Sequence, residues 1–341
     1  MDINEFKGRL KSGELAGAYA FVGEEDYLKR FYLGELRRAI VTDEAFAPFN
    51  HIVFDGEELD VAALLDAVKS PPMMADYKLV EWHYPDLTSL KESELSDLEM
   101  LLETRREYGY TVLAFLLGEE GIDLGTPKRK SKFVTRFEKT MDFLRLDKSS
   151  DAQLAQWLRR HFDAAGISYQ PDVPSALIFR SGRSMQQLKN EVDKLVAYAK
   201  ANGATLTPRE VELIATPTTE CDTFAFSNAV LARDKQGALA ALADMKARRT
   251  DPTIIIGMTA RVLTDLVNVA GLTEDGMSAD DVAKTLSMNA YKLKLYLGAA
   301  KKLGAARCTA MLTELSRVDT SAKFGGISGY TAIELFILQN M

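Results

Sequence analysis

Ala18-Tyr19-Ala20-Phe21-Val22-Gly23-Glu24-Glu25-Asp26-Tyr27-Leu28-Lys29-Arg30 is the stretch on which the reading of this chain turns. A short apolar run enters a glycine and leaves it for a helical pattern, giving strand, turn and helix in order. A phosphate-binding loop has the form G-x-x-x-x-G-K-[ST], with glycines so that backbone N–H groups can wrap phosphate oxygens. Gly23 and Lys29 keep that spacing, but Leu28 stands at the second glycine and Arg30 at the magnesium-binding hydroxyl. Glu24, Glu25 and Asp26 place negative charge at a helix N-terminus, where it is favourable and competes with phosphate. The residues suggest a nucleotide-binding fold with a degenerate site that does not hydrolyse nucleotide. An ordinary strand–turn–helix is the simpler alternative, because a glycine and a lysine six residues apart form a loose motif.

Working outward, short β-like runs recur at Tyr19 to Val22, His51 to Phe54, Leu79 to Trp82, Val112 to Leu117 and Phe143 to Leu146. Helical periodicity fills segments between them, as in Tyr27 to Val41 and Val61 to Val68. Strands alternating with helices predict a parallel sheet covered on both faces, with ligands at the carboxyl ends of the strands. After Lys148 the β signal stops. Ser150-Asp151-Ala152-Gln153 reads as a capping box, Met185 to Val196 carries an apolar face ending at Asn202-Gly203, and Thr207-Pro208-Arg209-Glu210 opens another helix. From Thr218 onward the pattern is helical throughout. The expected organisation is an α/β domain over residues 1–147, a small helical domain over 148–214 and an all-helical domain over 215–341.

At 341 residues the chain is long enough for two or three domains with real cores. Hydrophobic residues make up 47% and charged residues 27%, values of an ordinary globular protein. No apolar stretch is expected to reach the roughly 18 residues that span a membrane. Residues Met1 to Glu5 lack the basic start and apolar core of a signal peptide. Cys221 and Cys308 have no metal or redox spacing and read as buried thiols in helices. These features together read as cytoplasmic. With 42 basic and 49 acidic residues the net charge is −7, so DNA contact would have to be local or shared with partners. One local excess runs from Pro127 through Lys128-Arg129-Lys130 to Lys139, and a solvated helix face is its commoner explanation.

No catalytic constellation emerges. His51, His83 and His161 have no partner at metal-ligand spacing, and there is no G-x-S-x-G elbow. An ATPase would end its third strand with an acid that positions magnesium. In Lys78-Leu79-Val80-Glu81-Trp82-His83-Tyr84 the acid is Glu81, within the strand, where it reads as an edge or solvent-facing residue rather than a displaced metal ligand. Just before lies Ser70-Pro71-Pro72-Met73-Met74-Ala75-Asp76. The prolines stop the preceding helix, and the methionines suit either an adaptable partner surface or packing beneath the sheet. Residue type alone favours packing.

Taken in order, these landmarks resemble the delta-subunit family of bacterial DNA polymerase III, the clamp-opening member of the clamp loader. They are Tyr19 to Leu28, Pro72 to Val80, Lys128-Arg129-Lys130, Leu188-Lys189-Asn190-Glu191-Val192-Asp193-Lys194-Leu195 and Asp319-Thr320-Ser321-Ala322-Lys323. The resemblance implies an AAA+-like domain, a helical lid and a helical collar. It implies a pentameric ring with the ATPase subunits (gamma/tau) and delta prime, and primer-template DNA met through that complex. It also implies no cofactor and no ATP hydrolysis by this subunit. The tip before the third strand would bind the sliding clamp (beta), which reverses the packing assignment for Met73 and Met74 and brings in Pro72 and Ala75. The family often carries leucine or an aromatic here, so two methionines are a departure. A nucleotide-sensing lid arginine would fall near Met185, Gln186 and Gln187, and none is there. The competing readings are an AAA+ ATPase with a divergent site and a DNA-binding module using Lys128 to Lys139.

Overall fold

A computed structural model describes residues 1–57, 60–126, 129–232, 234–288, 290–324 and 326–339. The chain divides into two compact units, Met1–Ser149 and Ser150–Met341.

The first unit is built on a five-stranded parallel sheet ordered β2-β3-β4-β1-β7. Its strands are β1 (Gly17–Val22), β2 (His51–Asp55), β3 (Lys78–His83), β4 (Thr111–Leu116) and β7 (Asp142–Arg145). The five expected strands are all present, each within a residue or two of its expected bounds. Alternation along central β1 explains the layers: Ala18, Ala20 and Val22 enter one core, while Tyr19 and Phe21 enter the other. The first core is closed by α4 (Val61–Lys69) and α5 (Glu92–Glu107) through Leu64, Leu98, Leu101 and Leu102. The second is closed by α1 (Ile3–Ser12) and α2 (Asp26–Ile40) through Phe6, Leu33, Leu36 and Ile40. Short α3 (Ala47–Asn50) leads directly into edge strand β2. A small hairpin, β5 (Gly125–Thr126) with β6 (Arg129–Lys130), precedes α6 (Lys132–Phe137).

The second unit is helical, and among its described residues strand-like pairing is a single bridge, Tyr169 to Leu206. Its first helices are α7 (Asp151–Ala164), α8 (Val173–Ser181), α9 (Met185–Asn202) and α10 (Pro208–Ile214). Ser150 and Thr207 close the two expected capping boxes, and Gly203 ends α9 in the left-handed region at φ 59°. Helices α11 (Thr219–Leu231), α12 (Lys235–Ala247), α13 (Pro252–Glu274), α14 (Ala279–Thr285), α15 (Ala290–Leu303), α16 (Ala305–Phe324) and α17 (Gly329–Gln339) follow. They share one apolar core that holds Phe226, Leu266, Cys308 and Phe336. Both cysteines are buried free thiols.

One expectation is overturned here. Helix α13 is long and apolar enough to cross a membrane, with mean hydropathy 1.4 over an 18-residue window. Polar Thr259 and Thr264 and charged Arg261 and Asp265 interrupt its apolar residues, so the sequence shows no unbroken apolar run there. Ile255, Val262, Leu263, Leu266 and Val269 of this helix are instead buried in the core of the unit.

Candidate functional site

The loop after β1 folds onto its own surroundings. Gly23 sits at φ 106°, and a side chain there would run into the Leu146 backbone, so glycine is required by the turn. The Glu25 amide donates to the Leu146 carbonyl at 2.9 Å, and the Glu25 carboxylate accepts from the Tyr27 amide at 3.3 Å. Burial pushes the Glu25 carboxyl above its usual range, against the opposing pull of that amide. Two N–H groups at the start of α2 are thereby used internally.

Lys29, the residue that would reach phosphate, is 1% exposed. Its ammonium donates to the Leu117 carbonyl at 2.7 Å and pairs with Asp26 at 2.8 Å. Leu28 packs at the margin of the second core. Arg30, in the place of the hydroxyl, donates to the Tyr84 hydroxyl at 2.6 Å and lies 5.6 Å over that ring. Tyr84 takes φ 59°, an uncommon conformation for a bulky residue, just past the end of β3. All four residues of the degenerate loop, Gly23, Leu28, Lys29 and Arg30, thus make contacts within the protein.

Glu81 corrects the sequence reading. It is fully buried in an interior strand, not solvent-facing. Alternation does give it one face, but that face lies under α2. Arg37 donates to both its oxygens, at 3.0 and 2.7 Å, while His51 and His83 bond to one oxygen each at 2.9 and 2.7 Å. Burial opposes the charge, yet the bonds from His51, His83 and Arg37 outweigh it and hold the carboxyl far below its usual range. His83 is raised by the same carboxylate, against its burial, and bonds through its other nitrogen to Asp55 at 2.9 Å. His51 and His83 are therefore structural partners of a buried anion. Among the described residues no cluster of side chains is arranged to hold a metal ion.

The methionine segment is the exposed counterpart. Met73 is 42% and Met74 84% exposed, so neither packs beneath the sheet. Pro72 and Ala75 beside them are half-buried. Met74 adopts φ 53°. Asn50, 3% exposed at the end of α3, donates its amide to the Met73 carbonyl at 2.8 Å and accepts from the Met73 N–H at 2.7 Å. Lys78, fully buried at the start of β3, bonds to the Ala67 carbonyl and to the Ser70 hydroxyl. Burial lowers its pKa to about 8. The loop is thus fixed before and after the methionines. Phe49, 54% exposed, adds a large apolar side chain next to Asn50. Asn50 escaped the sequence reading because its link to Met73 spans 23 residues and leaves no periodic signal.

Comparison with known proteins now adds to this geometry. Residues 19–120 match the family model "DNA polymerase III, delta subunit", and residues 220–340 match "DNA polymerase III delta subunit, C-terminal domain". Together the two matches take in well over half of the chain. This chain belongs to the DNA polymerase III delta-subunit family. A probable DNA polymerase III subunit delta of Aquifex aeolicus is 24% identical over 311 residues, 88% of this chain and 84% of the relative. The solved Bacillus subtilis DNA clamp loader delta protein superposes with a TM-score of 0.57 at 20% identity, over 99% of this chain and 98% of that one. That superposition bears out the fold class, a parallel-sheet α/β unit followed by an all-helical unit.

The basic segment of this delta-family chain is partly neutralised. Arg136 bonds to Glu92 at 2.7 Å and to Glu99 at 3.0 Å, and Lys130 pairs with Glu138. Lys128 lies outside the described residues. Met185 is buried at the start of α9, with Gln186 exposed and Gln187 half-buried; Arg183 pairs with Asp151 at 3.2 Å.

Proposed function

We propose that this chain is the non-catalytic, clamp-opening subunit of a clamp loader, and that Met73 and Met74 are its contact with the sliding clamp. The observation that carries the reading is the pinned, exposed methionine pair in a delta-family chain. Met73 and Met74 are unbranched and polarizable and suit an apolar pocket, with Pro72 and Ala75 shaping the approach. Neighbouring gamma/tau ATPase subunits and delta prime would complete a pentameric ring through the collar. Primer-template DNA would be met by the assembled complex, in the cytoplasm. Energy from ATP would enter as differential stability of ring conformations.

The sealed loop supports the absence of ATPase activity. Lys29 is committed to the Leu117 carbonyl and Asp26, the Glu25 amide to Leu146, and Glu81 to Arg37 and two histidines. No cofactor is expected. The alternative, an AAA+ ATPase with a divergent site, requires all three arrangements to open, and micromolar ATP binding by the isolated chain would favour it. The direct test of the tip is the Met73→Ala/Met74→Ala variant, run with the organism's own clamp on a sizing column. Loss of co-elution with an unchanged circular dichroism spectrum is expected. Co-elution equal to the parent's would refute the assignment.

A further inference from the structure

The tip is held from outside itself. Among the described residues, the main chain of residues 71–77 makes hydrogen bonds with one group only, the Asn50 side chain. Both ends of that amide are spent on Met73, the nitrogen donating and the oxygen accepting, as a side-chain amide with separate donor and acceptor atoms allows. The next residue, Met74, is in the left-handed region at φ 53°, a conformation that an unbranched L-residue reaches only against a local cost. Asn50 is itself anchored: it is 3% exposed, and its neighbour His51 begins β2 and is bonded to buried Glu81.

We propose that Asn50 is a positioning residue for the clamp contact, holding the Met73–Met74 turn in its binding conformation before the partner arrives. This rests on the tip being the clamp contact. Without Asn50 the seven-residue segment would be tethered only at its ends, and its ordering would be charged against binding. Asn50 need not touch the clamp for this to hold.

The test uses the full-length chain and the same organism's sliding clamp. Affinity is measured by surface plasmon resonance for the parent, Asn50→Ala, Asn50→Asp and Met73→Ala/Met74→Ala. Amide exchange is followed at Met73 and at β4 in the free chain. Asn50→Ala should weaken binding about tenfold or more and accelerate exchange at Met73, with β4 unaffected. Asn50→Asp keeps the acceptor for the Met73 N–H, loses the donor to its carbonyl, and should fall between. If both Asn50 variants bind like the parent while the double methionine variant does not, the positioning role is wrong and the clamp contact stands. If the double methionine variant binds normally, the contact assignment itself fails. Should Asn50→Ala also loosen β4, Asn50→Asp decides, and parental affinity there overturns the proposal.

Discussion

Arg37→Met strips from Glu81 the one partner whose charge does not depend on pH. The pair is asymmetric, with Glu81 fully buried and the Arg37 side chain 43% exposed. Breaking a buried ion pair from one side costs about 3–5 kcal/mol. Solvent screening of a half-exposed arginine lowers that figure, and charge on His83 offsets more of it at low pH. The expected loss is about 2–3 kcal/mol at pH 8 and about 1 kcal/mol at pH 5.5. The sign follows from the two titrations. His83 is raised above 6.5, so its contribution is full below pH 6.5 and is lost as pH rises through the folded value. Glu81 is lowered from 4.5, so its contribution is present above pH 4.5 and is lost as pH falls through the folded value. Native stability from this cluster is thus greatest between about pH 4.5 and 6.5, and the variant leans on His83 more heavily than the parent. Urea unfolding followed by Trp82 fluorescence, in a Trp157→Phe background, reports the unit that contains the cluster. Equal losses at the two pH values, or a loss below about 0.5 kcal/mol as for a surface pair, would refute this account of Glu81.

Gly23→Ala should destabilise the same unit by about 2 kcal/mol or more, because φ 106° is foreign to L-residues and the added methyl meets the Leu146 backbone; a parental urea midpoint would contradict the turn assigned here. Phe49→Ala should leave that midpoint within about 0.5 kcal/mol, since the ring is half exposed, yet weaken clamp binding several-fold in the plasmon-resonance assay; unchanged affinity would exclude Phe49 from the contact surface.

The fold was legible because its signals are local and periodic. Central strands buried on both faces read as continuous apolar runs, seen in Tyr19 to Val22 and Val112 to Leu116. Capping boxes at Ser150 and Thr207 mark helix starts within four residues. The departures from a working phosphate loop were also readable, because each is a substitution at a fixed spacing. What those substituents do instead was not. Lys29 meets a carbonyl 88 residues away, and Glu81 gathers Arg37, His51 and His83 from three separate elements. An acid in a strand of mixed pattern cannot be placed on an outer or inner face until the order of strands is known. The methionine tip was ambiguous for a related reason. Apolar residues are usually buried, and exposure here follows from two prolines together with a distant asparagine.

The contact between Lys29 and Leu117 also bears on timing. In a nucleotide-driven part the loop lysine cradles the β- and γ-phosphates. Here the lysine is engaged by the Leu117 carbonyl and by Asp26, and the loop that carries it is stitched to Leu146 at the neighbouring turn. On the function proposed above, rising or falling ATP would leave this sheet unaltered. Among the cycling components of the proposed ring, such a part would work as an anvil: it would keep no clock, and every signal to act would have to reach it as force from its neighbours.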